Sequence, residues 1–359
     1  MPLISVIIPA YNAAQTILET VDSVLHQTVA DFELIVINDG SQDTTLELIS
    51  GIKDPRLQVI SYPNAGLAVS RNRGVARARG TYISFIDADD LWTPDKLELQ
   101  LQALKANPEA AVAYSWTDCI DKASNFLRPG SHISVLGDVY AKLLLGNFLE
   151  NGSNALICKQ ALIAVGGFDE SLPAAQDWDL YLRLAINYQF VVVPSPQVLY
   201  RISTNSMSSN VLQLESASLQ VIDKAFAQAP ATLQHLKKYS LANLYSYLTF
   251  KAVEGLPQRQ QGLTAARFLW QAVVNNPSLL QARVLVKLLF KIAVMTILPT
   301  QKAKIVFTKA GKLSDVRALL GYMYLEPDSR GLESSRSYDK HQILYVEPPK
   351  NSSARRQSR

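Results

Sequence analysis

Asp87-Ala88-Asp89-Asp90 places three carboxylates directly after Thr81–Ile86, a short β-branched and aromatic run that reads as a buried strand. Asp87 and Asp89 are two residues apart and project to the same side wherever the extended geometry persists. Like charges held that close raise each other's pKa unless a cation lies between them. A hard divalent ion, Mn²⁺ or Mg²⁺, bound through oxygens answers that need and ordinarily brings phosphate oxygens with it. An acidic loop capping the helix that starts near Pro94, with Asp90 or Thr93 as N-cap, accounts for the same residues equally well.

Two other strand ends offer groups suited to a nucleotide. Pro9-Ala10-Tyr11-Asn12 turns a strand into a helix, supplying free backbone N–H groups and an aromatic face for a base. Asp39 could accept from a ribose hydroxyl or a base N–H, and Gly40 permits close approach there. Taken singly, Asn12 and Asp43 also fit as helix caps and Asp39-Gly40 as a plain turn. Between these ends runs Asn64 to Gly74, with Asn64 a candidate N-cap and Arg71, Arg73, Arg77 and Arg79 along the helix that follows. Arg71, two turns in, can reach back toward the strand ends, where a guanidinium suits a diphosphate or an acidic partner. Arg77 and Arg79 read as solvated surface. The glycine-rich dinucleotide fingerprint and the phosphate-loop lysine are both missing, which disfavours ordinary NAD and P-loop chemistry.

The elements that must position these groups alternate. Strands are expected at Leu3–Ile8, Phe32–Ile37, Leu57–Ile60, Thr81–Ile86 and Ala111–Tyr114, with helices at Gln15–His26, Thr44–Ser50, Gly66–Arg79 and Pro94–Ala106. That order predicts an α/β fold with a mostly parallel central sheet flanked by helices, whose ligands bind outside the carboxyl ends of the strands. Further on, a helix at Asp138–Leu145, a strand at Ser153–Ile157, a helix at Asp177–Asn187 and closing strands at Phe190–Val193 and Val198–Arg201 are expected. Residues 1–210 then form the α/β domain, 211–326 a basic α-helical region, and 327–359 a polar, disordered tail.

Composition bounds the class. At 359 residues with 48% hydrophobic and 18% charged, the chain has room for one large domain and an appendage. Cys119 and Cys158 match no metal spacing, which points to a reduced, cytoplasmic compartment. Met1-Pro2-Leu3 lacks the basic region of a signal peptide. The net charge of +4 is unevenly spread: no acid lies between Glu254 and Asp315, while Arg259, Arg267, Arg283, Lys287, Lys291, Lys302, Lys304, Lys309 and Lys312 do. In the apolar run 284–298, Lys287 and Lys291 share a helix face and interrupt what would otherwise resemble a membrane span. A helix lying in the inner membrane interface, drawn to anionic lipid, and a core helix of a small bundle both fit that pattern. Nucleic-acid binding does not, because the basic residues are dispersed among apolar ones.

The order of motifs resembles the family 2 glycosyltransferases: Ser5 to Asn12, Val36 to Ser41, Asn64 to Gly74, Phe85 to Asp90, Gly166-Gly167-Phe168-Asp169-Glu170, Gln176-Asp177-Trp178-Asp179-Leu180 and Tyr200-Arg201. The likeness covers roughly Pro2 to Asn205. It implies a GT-A fold and an enzyme that transfers a hexosyl or related sugar from a nucleotide-sugar donor to a glycan or lipid-linked acceptor, with inversion. It also implies that Pro9, Tyr11, Asn12, Asp39 and Arg71 line the nucleotide pocket, that Asp87 and Asp89 form the DXD-type pair holding a divalent metal and the diphosphate, and that Asp177 is the general base. The family's acidic pair is here Gln176-Asp177, so one carboxylate is missing. Asp179 is expected to be structural. A nucleotidyltransferase shares strand-end carboxylates and a metal but normally adds a glycine- and lysine-rich loop. A nucleotide-binding module without turnover is suggested by Gln176 alone.

Overall fold

The computed structural model describes residues 1–202, 210–255, 257–311 and 315–322; the end of the motif region at Asn205, Lys312 and the polar tail from Pro327 lie outside them. The chain runs β1 (Ile4–Ala10), α1 (Ile17–Leu25), β2 (Phe32–Asn38), α2 (Thr45–Ser50), β3 (Leu57–Ser61), α3 (Leu67–Arg77), β4 (Tyr82–Phe85), β5 (Leu91–Trp92), α4 (Lys96–Ala106), β6 (Ala110–Ile120), β7 (Phe126–Pro129), α5 (Tyr140–Leu145), β8 (Leu156–Cys158), α6 (Lys159–Ala164), α7 (Gln176–Ala185) and β9 (Gln189–Arg201). The helices α8 (Val211–Gln228), α9 (Lys237–Glu254), α10 (Arg259–Asn275), α11 (Val284–Ile297) and α12 (Thr300–Ala310) follow, with short 3-10 turns between some of them.

β1 and β2 are buried at every residue, because each is covered on both faces. Their alternation divides the core. Ile7, Ile35 and Ile37 join one buried cluster, whereas Ile4, Val6, Ile8, Leu34 and Val36 join the other. The sheet order is β3-β2-β1-β4-β8-β6-β9-β5, with β7 added beside β6. β3, β2, β1 and β4 run parallel, so Ala10, Asn38 and Phe85 end on one edge of the sheet. β8 runs antiparallel to both β4 and β6. Tyr11 and Asn12, Asp39, and Asp87 to Asp89, just past those ends, line one cleft.

Two expected strands are one. β9 spans Gln189–Arg201 and follows β6 in parallel, absorbing Pro196 through register shifts opposite Ser115, Trp116 and Thr117. β6 likewise runs well past Tyr114. The caps also differ from expectation. The N-cap position of α3 is Gly66 at φ 93°, while Asn64 donates Nδ2 to the Asp39 carbonyl at 2.9 Å. The N-cap position of α4 is Asp95, not Asp90 or Thr93. Asp43 does accept from the Thr45 amide at the start of α2, at 3.0 Å. Arg79, expected as solvated surface, is exposed, and it also pairs with buried Glu33 at 2.7 Å.

The C-terminal helices continue the main core rather than hanging from it. A single buried cluster includes Ile7, Leu143, Leu180, Val221, Leu248, Phe268 and Leu288. Among the described residues no helix is long and apolar enough to cross a membrane. On α11, Leu288, Ile292 and Met295 face inward, while Val286 (66% exposed), Leu289 (54%) and Ile297 (76%) face out. The lysines do not dominate that outer face: Lys291 lies over the Phe307 ring at 5.6 Å, and burial holds its pKa below the usual lysine range.

Candidate active site

Where β4 ends, the chain must dispose of three carboxylates, and it gives each a different fate. Asp87 takes a cation. Arg71 Nη2 donates to its Oδ1 at 2.5 Å, and that guanidinium is itself buried, 2% exposed. α3 brings Arg71 there by lying close on the sheet: Gly74 has no side chain, and a Cβ at that position would overlap Ile7 of β1. A Cβ at Gly152 would overlap the Arg71 guanidinium on its other side. Burial works against the charge, but Asp87 and Asp177 hold Arg71 protonated more firmly than usual.

Asp90 takes the scaffold. It is fully buried, its Oδ2 accepting from Ser153 Oγ at 2.5 Å and its Oδ1 from the Arg201 amide at 2.9 Å. Burial and then its acidic neighbours raise its pKa well above the aspartate range. The Arg201 guanidinium meanwhile donates to the Asp89 carbonyl at 2.7 Å and to Glu19 at 2.9 Å, so the Tyr200-Arg201 motif braces the acidic turn from behind. Asp89 is left facing the cleft. Burial first and Asp87 second raise its carboxyl to about 6.

The other side chains expected in the site converge on the same cleft. Pro9, Tyr11, Asn12, Asp39, Arg71, Asp87, Asp89 and Asp177 all line a single cavity of about 1360 Å³. Tyr11 is half exposed at its mouth. Asn12 adopts a positive φ of 49° and accepts from the Gln42 amide at 2.8 Å, locking the β1 turn to the β2 turn. Asp39 is more occupied than its sequence context suggests. Its carboxylate accepts from the Ala65 amide (3.0 Å), the Gly66 amide (2.8 Å) and Arg73 (3.1 Å), which tethers the start of α3. Little of its acceptor capacity remains for a base or ribose.

Across the cleft, Asp177 opens α7. Asn147 Nδ2 donates to its Oδ2 at 2.8 Å. Burial raises the Asp177 pKa, partly offset by Arg71. Gln176 turns inward instead: Nε2 donates to the Leu172 carbonyl at 2.7 Å, and buried Oε1 has no partner among the described residues. Asp179 points away from the cleft, as its helical spacing from Asp177 requires, and joins Arg183 (2.7 Å) and Lys224 of α8 (2.7 Å). Lys224 also holds Asp169 of the glycine-glycine turn at 2.6 Å.

One loop is absent from the expected site, yet it touches each part of it. Between α5 and β8, Asn147 bonds Asp177, Gly152 packs on Arg71, and Ser153 Oγ serves both the Asp87 amide (3.0 Å) and Asp90. Its sequence, Gly146-Asn147-Phe148-Leu149-Glu150-Asn151-Gly152-Ser153, has no period to read; the density of Gly and Asn after a helix was the available signal.

The described residues contain no group of three or more His, Cys, Asp or Glu side chains able to hold a metal. Asp87 and Asp89 nevertheless fit a hard cation in the company of ligand oxygens: both are carboxylates, both face the cleft, and at Asp89 burial and the Asp87 charge outweigh the Arg201 charge.

A family model described as "Glycosyltransferase like family 2" matches residues 5–252. The chain is 33% identical over 187 residues to a chondroitin synthase of Pasteurella multocida, covering 52% of this chain and 19% of that protein. It is 33% identical over 194 residues to a chondroitin synthase of Escherichia coli, covering 52% and 27%. With an uncharacterized glycosyltransferase of Rickettsia typhi the identity is 34% over 186 residues, covering 51% and 58%. The chain thus spans from about a fifth to somewhat over half the length of these relatives. Among solved structures, the mannosyltransferase PcManGT from Pyrobaculum calidifontis, in complex with GDP-Man and Mn²⁺, superposes with a TM-score of 0.54 at 19% identity, over 89% of this chain and 87% of that one. S. aureus TarS 1-349 in complex with UDP-GlcNAc gives 0.52 at 16% identity, over 78% and 92%. At such identities these two likenesses speak for the fold, which is that of GT-A glycosyltransferases.

Proposed function

The chain belongs to glycosyltransferase-like family 2, and from that premise we propose that it moves a sugar, with inversion, from a nucleoside-diphosphate sugar to an acceptor hydroxyl in the synthesis of a surface polysaccharide or glycolipid. The observation that carries the reading is the convergence of Arg71, Asp87, Asp89 and Asp177 on one cleft at the strand ends. Relatives named for chondroitin synthesis, and fold neighbours solved with UDP-GlcNAc or with GDP-Man and Mn²⁺, support it.

Sugar transfer breaks the anomeric C–O bond and leaves negative charge on the β-phosphate. Arg71, buried and held charged beside Asp87, stabilises that charge as it develops. Asp89, with Asp87, would hold a divalent ion, which when bound supplies Lewis-acid neutralisation of the departing diphosphate. Tyr11 offers a face to the base, while Asn12 and Asp39 keep the β1 and β2 turns and the start of α3 in register around it. An acceptor hydroxyl is a weak nucleophile near neutrality, so Asp177 takes its proton as attack proceeds on the face opposite the nucleotide. The raised pKa of Asp177 suits that task, because a stronger base accepts the proton more readily. Single displacement needs this one base and no covalent enzyme intermediate. Asn147, by donating to the far oxygen of Asp177, fixes which lone pair faces the acceptor.

The α11 outer face and the basic surroundings add a second part to the reading, peripheral docking on an anionic membrane surface where a lipid-linked acceptor would reside. Incubation with Mn²⁺ and a panel of nucleotide sugars tests the chemistry. Nucleoside diphosphate release supports transfer, whereas pyrophosphate release means nucleotidyl transfer, and nucleotide binding without turnover on any acceptor means a binding module. Asp177→Asn is expected to lower transfer by about 10²–10⁴-fold with nucleotide affinity nearly intact. Normal turnover by that variant would end the assignment of the base.

A further inference from the structure

The cleft does not stop at Asp177. Past it, the loop after α5 and the end of β7 face the C-terminal helix α9, and Glu150, Arg128, Ser131 and Tyr247 stand among the lining residues. Neither donor binding nor proton removal, as argued above, uses any of them.

Their arrangement is specific. Glu150 adopts a positive φ of 73°, a conformation that a residue with a Cβ keeps only where its surroundings impose it. One carboxyl oxygen is fixed: the Ser131 amide donates to Oε1 at 2.8 Å. The other, Oε2, occupies space that exists because Gly130 has no side chain, since a Cβ there would overlap it. Arg128 lines the cleft beside it, and its five N–H groups can only donate. Its guanidinium lies 5.5 Å from the Phe250 ring of α9, so the C-terminal helices help to shape this arm. Glu150 keeps surface open to the cleft, and desolvation by the surrounding walls raises its carboxyl against the pull of the Ser131 amide and of the Arg128 and His132 charges. Its carboxylate oxygens can accept from hydroxyls.

Resting on the transfer reading, we propose that Glu150 and Arg128 form a recognition subsite for a neutral sugar ring of the acceptor. The carboxyl takes a hydroxyl pair, the Arg128 guanidinium donates to a further ring oxygen, and Tyr247 flanks the ring. Neutrality follows from the pair because Arg128 and Glu150 offset each other's charge, which leaves no net charge to draw in a uronate or an amino sugar. The placement is consistent with an acceptor, because the loop that carries Glu150 also carries Asn147, the partner of Asp177.

The test is saturation-transfer NMR on the full chain with the methyl glycosides of glucose, galactose, mannose, N-acetylglucosamine and glucuronic acid. At least one neutral glycoside is expected to bind, and its affinity to fall tenfold or more in Glu150→Gln, which keeps the side chain's shape, and in Arg128→Lys, which removes the planar guanidinium fork. Affinities for UDP and GDP, measured alongside, are expected to stay within twofold in both variants. The proposal is overturned if no glycoside binds, if only the glucuronide binds, or if both variants bind as the wild type does. Nucleotide titration reads the donor site separately. Glycoside binding that depends on Glu150, in a chain that binds no nucleotide, upholds the sugar subsite and sinks the transfer reading.

Discussion

Asp177 sets the lower pH edge of the proposed reaction, because only its carboxylate form can take a proton. Burial raises its pKa, so the rate should rise with pH through a limb that lies above the ordinary aspartate range. Asn147 works in the other direction by donating to the charged form. Removing it with Asn147→Ala strips a hydrogen bond to a charged group, worth about 1.5–3 kcal/mol, or about one to two pH units of displacement. The acid limb of kcat should therefore move to higher pH, with the KM for donor little changed. A limb that stays in place would show that the contact does not govern the base. Asn147 had no signal of its own in the sequence, whereas Asp87 and Asp89 were legible because a strand running into carboxylates is chemically conspicuous. Asp39 was legible as a site residue but not as the tether of Ala65 and Gly66, since a strand-end aspartate reads the same whether it awaits a ligand or a backbone amide. Gln176 was visible as a departure from the family's acidic pair; its inward turn, with Nε2 on the Leu172 carbonyl, was not.

At the scale of elements, α3 is the lever between the core and the cleft. Its Gly74 lies against Ile7, and Arg71, three residues earlier, meets Asp87. Gly74→Ala inserts a methyl group where the packing leaves no room, and overpacking of this kind costs about 1–3 kcal/mol. The gain in helix propensity, roughly 1 kcal/mol, offsets part of that. The net expectation is a urea midpoint shifted downward, together with a fall in kcat as the helix moves off β1 and carries Arg71 with it. An unchanged midpoint and full activity would mean that Ile7 gives way freely. The helix was readable because its apolar spacing, its arginines and the glycine after it are local features. The pairing of β6 with β9 was not. Pro194 and Pro196 split β9 into two apparent strands, and only the register shifts opposite Ser115, Trp116 and Thr117 let one strand accommodate them. Long-range register of that sort leaves no trace in a short window.

Over the whole molecule, the C-terminal helices have a buried face and an exposed one. Inward, Phe268, Leu288, Ile292 and Met295 extend the buried core of the α/β domain. Outward, α11 presents Val286, Leu289 and Ile297, in a stretch from 255 to 314 that holds no acid. The basic, apolar composition was plain in the sequence; which face looked out was not, because Lys287 and Lys291 lie on a half-buried flank beside the more exposed Val286, Leu289 and Ile297. Docking on lipid through this face draws on apolar burial of roughly 25 cal/mol per Å² and on about 1 kcal/mol per basic residue near an anionic surface. Substituting Val286→Glu and Leu289→Glu removes the apolar part and sets acid against the headgroups, while Leu288 and Ile292 keep the helix seated. The doubly substituted chain should then lose flotation with vesicles containing anionic lipid yet retain its thermal midpoint and its release of nucleoside diphosphate from a soluble donor. Transfer to a lipid-linked acceptor should fall in proportion to the lost binding. Flotation equal to that of the wild type would remove the membrane from the account and leave the outer face of α11 without its proposed occupant, while the chemistry at Asp177 would stand untouched.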